Sequence, residues 1–198
     1  MKEVIEVQEL FKVPIYKTKL KLDNKKIIKY CLELSKKNKG RIISNIGGWQ
    51  SNNLKSSDSI LNNLFLDIKK HGNEFAKFIK LKFPLYENGL WININGYKDF
   101  NTTHFHDNCL LSGVYYLQTP KDCGNILFEN PANDLMQFNW FNENLKEKNN
   151  YTSEKWWLPS KESLLYIFPS WLKHSVEPNL NKKDKRISIS FNLNNEHY

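Results

Sequence analysis

The sequence predicts a mainly β fold: a double-sheet jelly roll with N-terminal helices packed on one sheet. Two observations carry this. Apolar residues recur at about 3.6-residue spacing in two segments before residue 85, and alternate at period two in short segments after it. Helices come first and strands follow, with no βαβ alternation, which points to an antiparallel system. The 198 residues, 40% hydrophobic and 14% aromatic, are enough for one sizeable core. We therefore expect one domain over 1–198, with a strand and helix extension over 1–84 and a β-core over 85–198.

Taken in order, Leu10 to Leu22 mixes β-branched and aromatic residues with alternating lysines, as one or two edge strands do. Asp23 is placed to cap a helix whose Ile27, Ile28, Cys31 and Leu34 share a face, with Gly40 as its stop. "GGWQSNNL", Gly47 to Leu54, reads as a loop. Asp58 is a candidate cap for a longer helix through Ile60, Leu61, Leu64, Phe65, Ile68, Phe75, Phe78 and Ile79. Then come the short strands "LWININGY", "LLSGVYYLQ", "GNILFEN", "SLLYIFP" and "RISISFNLN". Asn130 to Ser160 is polar and lacks a period, so it reads as a long insertion with room for a short helix.

The net charge of +8 is spread over lysines interleaved with asparagines. That scatter favours a solvated surface over a basic face for nucleic acid. Three cysteines without a paired framework suit a reducing, cytoplasmic setting. No signal peptide or membrane span is visible, and no membrane partner is expected.

Five histidines are present, and two of them stand together in "HFHDNCLLSGVYYLQTP", at the mouth of a strand. On an extended chain His104 and His106 point to one side, as two ligands of one metal would. A third must come from afar, and His174 in "FPSWLKHSVEPN" is the candidate. Twelve residues later Arg186 opens the last strand, with Ser188 two beyond. Along that strand Arg186, Ser188, Ser190 and Asn192 face one way and Ile187, Ile189, Phe191 and Leu193 the other. Either the polar face meets solvent, or the apolar face packs on the helices and the polar face lines a cavity that binds a carboxylate. Trp91, Asn93, Asn95 and Tyr97 are further candidates for that lining, as are Ser112 and Tyr116. Trp140, Trp156 and Trp157 read either as core anchors of the insertion or as a substrate platform.

This order of residues resembles the 2-oxoglutarate- and Fe(II)-dependent oxygenases, whose pattern is H-x-D/E, a distal His, and then an Arg or Lys. "GNILFENP", "LLYIFPSWLKHSVEPN", "RISISFN", "GGWQSNNL" and "WININ" extend the resemblance to a subgroup common in bacteria and tailed phages. It implies a double-stranded β-helix, Fe(II) as cofactor and 2-oxoglutarate as co-substrate. It implies that Arg186 and Ser188 receive the distal carboxylate of 2-oxoglutarate. It also implies hydroxylation of a C–H bond, with a peptidyl side chain such as proline as an expected substrate. The sequence departs from the pattern at His106, where a carboxylate is usual; Asp107 comes one residue late. Three ligand sets stay open at this point: His104, His106 and His174; His104, Asp107 and His174; or His106 and His174 with His104 behind them. Two other readings stay open: a three-histidine cupin-like dioxygenase without 2-oxoglutarate, and a non-catalytic jelly-roll binding module.

Overall fold

In the computed structural model, residues 5–54, 59–82, 84–140 and 142–195 are described, and their strands form two antiparallel sheets. The larger sheet has the spatial order β1 (Tyr16–Lys19), β9 (Leu164–Pro169), β6 (Leu111–Gln118), β11 (Arg186–Asn194), β4 (Tyr86–Asn95), β3 (Trp49–Gln50). The smaller runs β2 (Asn45–Ile46), β5 (Phe100–His104), β10 (His174–Val176), β7 (Ile126–Glu129), β8 (Lys155–Leu158). The two sheets face each other as a jelly roll.

Period-two alternation gives the larger sheet two different faces. Leu90, Ile92 and Ile94 of β4 and Ile187, Ile189, Phe191 and Leu193 of β11 are all buried in one apolar cluster with the helices. Helix α1 (Asn24–Lys37) adds Ile27 and Cys31; α2 (Asn62–Phe78) adds Leu64, Phe65, Ile68 and Phe75. Gly72 lets α2 approach closely, because a Cβ there would collide with Leu193 Cδ1. The polar alternates of the same strands face the smaller sheet, so the cavity reading of β11 holds.

Several local expectations need correction. Asp23 does cap α1, accepting from the Lys26 N–H at 3.2 Å, but the helix ends at Lys37 with Asn38 extended; Gly40 (φ 72°) turns the chain beyond it. The capping position read at Asp58 lies outside the described residues; α2 begins at Asn62 without a side-chain cap. Phe78 is exposed at the end of that helix. "GGWQSNNL" is not all loop. Gly47 and Gly48, both at positive φ, carry the chain from β2 in the smaller sheet to β3 in the larger. The segment read as an extension thus supplies β1, β2 and β3 to the sheets. The 130–160 insertion holds the short helix α3 (Asn133–Asn139) and also β8, an edge strand that its sequence did not announce.

Candidate metal and co-substrate site

β5 ends at His104, and the chain stays extended enough that Phe105 turns outward while His106 returns to the cavity side. The His106 N–H donates to Ser170 O at 3.0 Å, which holds this short overhang in place. Across the sheet, His174 of β10 is the direct ladder partner of His104. Residues opposite each other in an antiparallel ladder share a face, so β10 delivers the third imidazole to the same point. The ring centroids are 4.4 Å apart for His104 and His174 and 5.2 Å for each of the other two pairs. One nitrogen from each ring lies within 4.8 Å of the others.

The hydrogen bonds assign the free nitrogens. His104 Nδ1 donates to Thr102 O at 2.7 Å, His174 Nδ1 to Leu172 O at 2.9 Å, and His106 Nδ1 to Asn192 Oδ1 at 2.6 Å. A carbonyl can only accept, so each Nδ1 carries the proton and each Nε2 keeps a lone pair. Burial pulls all three pKa values down, that of His174 to about 3, so the rings are neutral near pH 7. Three neutral imidazoles, each oriented by a hydrogen bond on its far side, are a donor set that suits iron. Asp107 is exposed and outside this cluster.

The other end of the cavity is cationic. Arg186 is 1% exposed. Its Nη1 donates to Cys123 O and to Glu177 O at 2.9 Å, while Nη2 is buried with no partner. No carboxylate forms an ion pair with it among the described residues. Asp99 and Glu177 act on it only from beyond ion-pair distance, and a buried guanidinium with an unpaired Nη2 is costly, so this end of the cavity is suited to an anion. Ser188 and Tyr116 lie beside it on the lining. The Tyr116 hydroxyl is buried beside Ser160 Oγ without the alignment of a hydrogen bond, and burial pushes its pKa up to about 12, so it remains a donor. A dicarboxylate reaching from the histidines to Arg186 would meet donors at its far end.

The residues read as site candidates from sequence come together here: His104, His106, His174, Arg186 and Ser188 all line one cavity, with Trp91, Asn93, Asn95 and Tyr116. Ser112 stands behind it, donating to Asn192 Oδ1 at 2.9 Å and so fixing the acceptor for His106. Tyr97 does not join; it lies past the end of β4 and is 44% exposed. Trp140, Trp156 and Trp157 are not core anchors either, being 49%, 47% and 59% exposed. Trp156 is the ladder partner of Phe128, itself the partner of His174, so it sits on the histidine face two strands away. Sequence reasoning missed Asn101 and Ser44, which also line the cavity, and the contact between His106 and Asn192. Asn192 was legible as a polar alternate of β11, but nothing in the sequence paired it with His106.

A family model described as "Putative 2OG-Fe(II) oxygenase" matches residues 89–192, just over half of the chain. No curated protein matches significantly. Among solved structures, a Pseudomonas putida prolyl-4-hydroxylase superposes with TM-score 0.63 at 12% identity, covering 92% of this chain and 94% of its own. The viral collagen prolyl hydroxylase of Paramecium bursaria Chlorella virus-1, solved with 2OG, gives 0.57 at 13% identity over 90% and 94%. HygX from Streptomyces hygroscopicus, solved with nickel and 2-oxoglutarate, gives 0.61 at 9% identity over 94% and 84%. These likenesses establish a shared fold.

Proposed function

Since the chain belongs to the 2-oxoglutarate–Fe(II) oxygenase family, we propose that it hydroxylates a C–H bond of a peptidyl substrate, prolyl residues first among them. In this reading His104, His106 and His174 hold the iron, and Arg186 with Ser188 and Tyr116 holds the distal carboxylate of 2-oxoglutarate. The observation that carries it is the pairing of three oriented, unprotonated Nε2 atoms with a buried Arg186 whose Nη2 has no partner and with which no carboxylate among the described residues forms an ion pair. A cupin-like dioxygenase without 2-oxoglutarate has no use for that cation.

Bound Fe(II) supplies the redox chemistry that couples conversion of 2-oxoglutarate and dioxygen to succinate and carbon dioxide with oxidation of the substrate C–H bond. The protein's part is placement. Thr102 O, Leu172 O and Asn192 Oδ1 fix the three rings before any ligand arrives. Arg186 and Tyr116 orient the co-substrate by its far end. Phe128 and Phe168 pack against His174, with ring centroids 6.2 and 4.7 Å away, and keep water from one flank of the centre. Trp156, half-exposed at the edge of the histidine face, offers a flat wall for an incoming peptide.

Support for a prolyl peptide is that two proteins of this fold are prolyl hydroxylases by name. The three free cysteines suit the cytoplasm of a bacterium or of an infected host. Among the described residues no helix is long and apolar enough to cross a membrane. A succinate-release assay with Fe(II), 2-oxoglutarate and a panel of prolyl and non-prolyl peptides tests the proposal. Turnover stimulated by prolyl peptides is expected. Stimulation by non-prolyl substrates alone would reject the substrate, and no 2-oxoglutarate consumption at all would reject the reaction.

A further inference from the structure

A row of ladder partners crosses the inner face of the larger sheet. Arg41 is opposite Gln50, Gln50 opposite Asn93, Asn93 opposite Ser188, and Ser188 opposite Tyr116. Residues so paired share a face. The Ser188 and Tyr116 end belongs with Arg186 to the co-substrate. The other end has no assigned role, yet it carries the same signature of incompleteness. Arg41 Nε, Gln50 Oε1 and Asn93 Oδ1 are each buried without a hydrogen-bond partner. Buried polar groups are almost always paired, so three unpaired neighbours in one row point to a polar ligand that completes them.

The surroundings of Arg41 are built rather than loose. Its Nη2 donates to Asn53 Oδ1 at 3.1 Å, and its guanidinium carbon stands 5.6 Å from the centroid of Trp91. Trp91 in turn is 5.6 Å, ring to ring, from His106. The cation is thus held on the aromatic ring that adjoins the proposed iron site. The Arg41 N–H donates to Gln50 O at 2.8 Å, and Asn45 Nδ2 bridges to Gly47 O at 3.3 Å, which ties the 41–50 segment into a fixed turn. No carboxylate forms an ion pair with Arg41 among the described residues.

Cation and acceptors together define a chemistry. Arg41 asks for an anionic acceptor, and Gln50 and Asn93 ask for N–H or O–H donors. We propose that Arg41, Gln50 and Asn93 form the primary-substrate subsite and select a peptide that carries a carboxylate side chain beside the residue to be oxidised. The backbone N–H groups of that peptide satisfy the two amide oxygens. This rests on the peptidyl hydroxylase reading above and names its substrate class. It also gives the "GGWQS" segment a role: its glycines turn the chain between sheets so that Gln50 arrives opposite Asn93.

The test uses the full chain, loaded anaerobically with Fe(II) and saturating 2-oxoglutarate. Acetylated, amidated tripeptides with central proline and a flanking Glu, or the isosteric Gln, are titrated while the visible charge-transfer band is followed. The Glu peptide should bind about tenfold more tightly than the Gln peptide, as one charge-assisted hydrogen bond implies. Arg41→Ala should bring that ratio close to one, and Arg41→Lys should recover part of it. Circular dichroism and iron content report whether each variant is folded. Equal binding of the two peptides, or a ratio that survives Arg41→Ala, overturns the subsite. If neither peptide binds, N-acetylaspartate and N-acetylasparagine are titrated in their place. Arg41-dependent preference for the acid then supports the subsite and rejects the peptidyl reading; no preference rejects the subsite. A wild-type enzyme that shows no charge-transfer band at all overturns the reaction class, and the subsite with it.

Discussion

Tyr115 and Tyr116 are neighbours on β6, both almost fully buried, and they live in different media. The Tyr115 hydroxyl enters the helix-side core and donates to Asn24 Oδ1 at 2.7 Å; Asn24 Nδ2 in turn donates to Ser163 Oγ at 3.2 Å. The Tyr116 hydroxyl enters the space between the sheets and has no aligned partner. The same contrast holds across β11, where Ile187, Ile189, Phe191 and Leu193 are packed and Arg186 keeps a free Nη2. One core is complete as folded. The other keeps buried polar atoms without partners, as a cavity that receives polar ligands does.

The largest effect is expected at the histidines. His174→Ala should abolish stoichiometric iron binding and 2-oxoglutarate turnover while leaving the circular dichroism spectrum and melting behaviour close to those of the metal-free parent. Metal analysis of the purified variant checks this, and full iron content would remove His174 from the ligand set. Next in size is Arg186→Ala. Removing one member of a buried charge pair typically costs about 3–5 kcal/mol, so affinity for 2-oxoglutarate should fall by a few hundred-fold or more. Iron affinity should change little, because the guanidinium is at the far end of the cavity.

The tyrosine pair offers a smaller and cleaner contrast. Tyr115→Phe leaves Asn24 Oδ1 without its buried donor and should lower stability by about 1–3 kcal/mol in urea denaturation. Tyr116→Phe removes a hydroxyl that has no aligned partner, so stability should hold or rise slightly. Its effect should appear instead as weaker 2-oxoglutarate binding, by roughly 1 kcal/mol. The reverse pattern would mean that the two interiors are not different in kind. The smallest effect is expected at Asp107, which is exposed. Asp107→Ala should leave iron affinity within about 0.5 kcal/mol of the parent, as exposed substitutions usually do.

Much of this was legible in the sequence because it is periodic. The alternation in "RISISFNLN" sorts the residues of β11 into two faces, and the i, i+2 spacing of His104 and His106 puts both on one side. What alternation does not say is which face meets water. That depended on α1 and α2 covering the apolar side, a tertiary fact. β5 and β10 escaped notice because they are short and polar, "FNTTH" and "HSV", and are strands only through pairing with each other and with β7. β8 was missed because its tryptophans read as loop anchors, whereas pairing with β7 leaves them half-exposed. The row from Arg41 to Tyr116 draws on five separate segments, and no local pattern announces it.

In the proposed site three histidines, not two and a carboxylate, hold the iron to which 2-oxoglutarate binds. Anaerobic titration of Fe(II) into the 2-oxoglutarate-loaded parent, His106→Ala and Asp107→Ala tests it most directly, with the visible charge-transfer band as signal. The parent and Asp107→Ala should both reach one equivalent of iron with the band developed, and His106→Ala should bind far more weakly. A band that survives His106→Ala and vanishes in Asp107→Ala would put Asp107, not His106, in the ligand set.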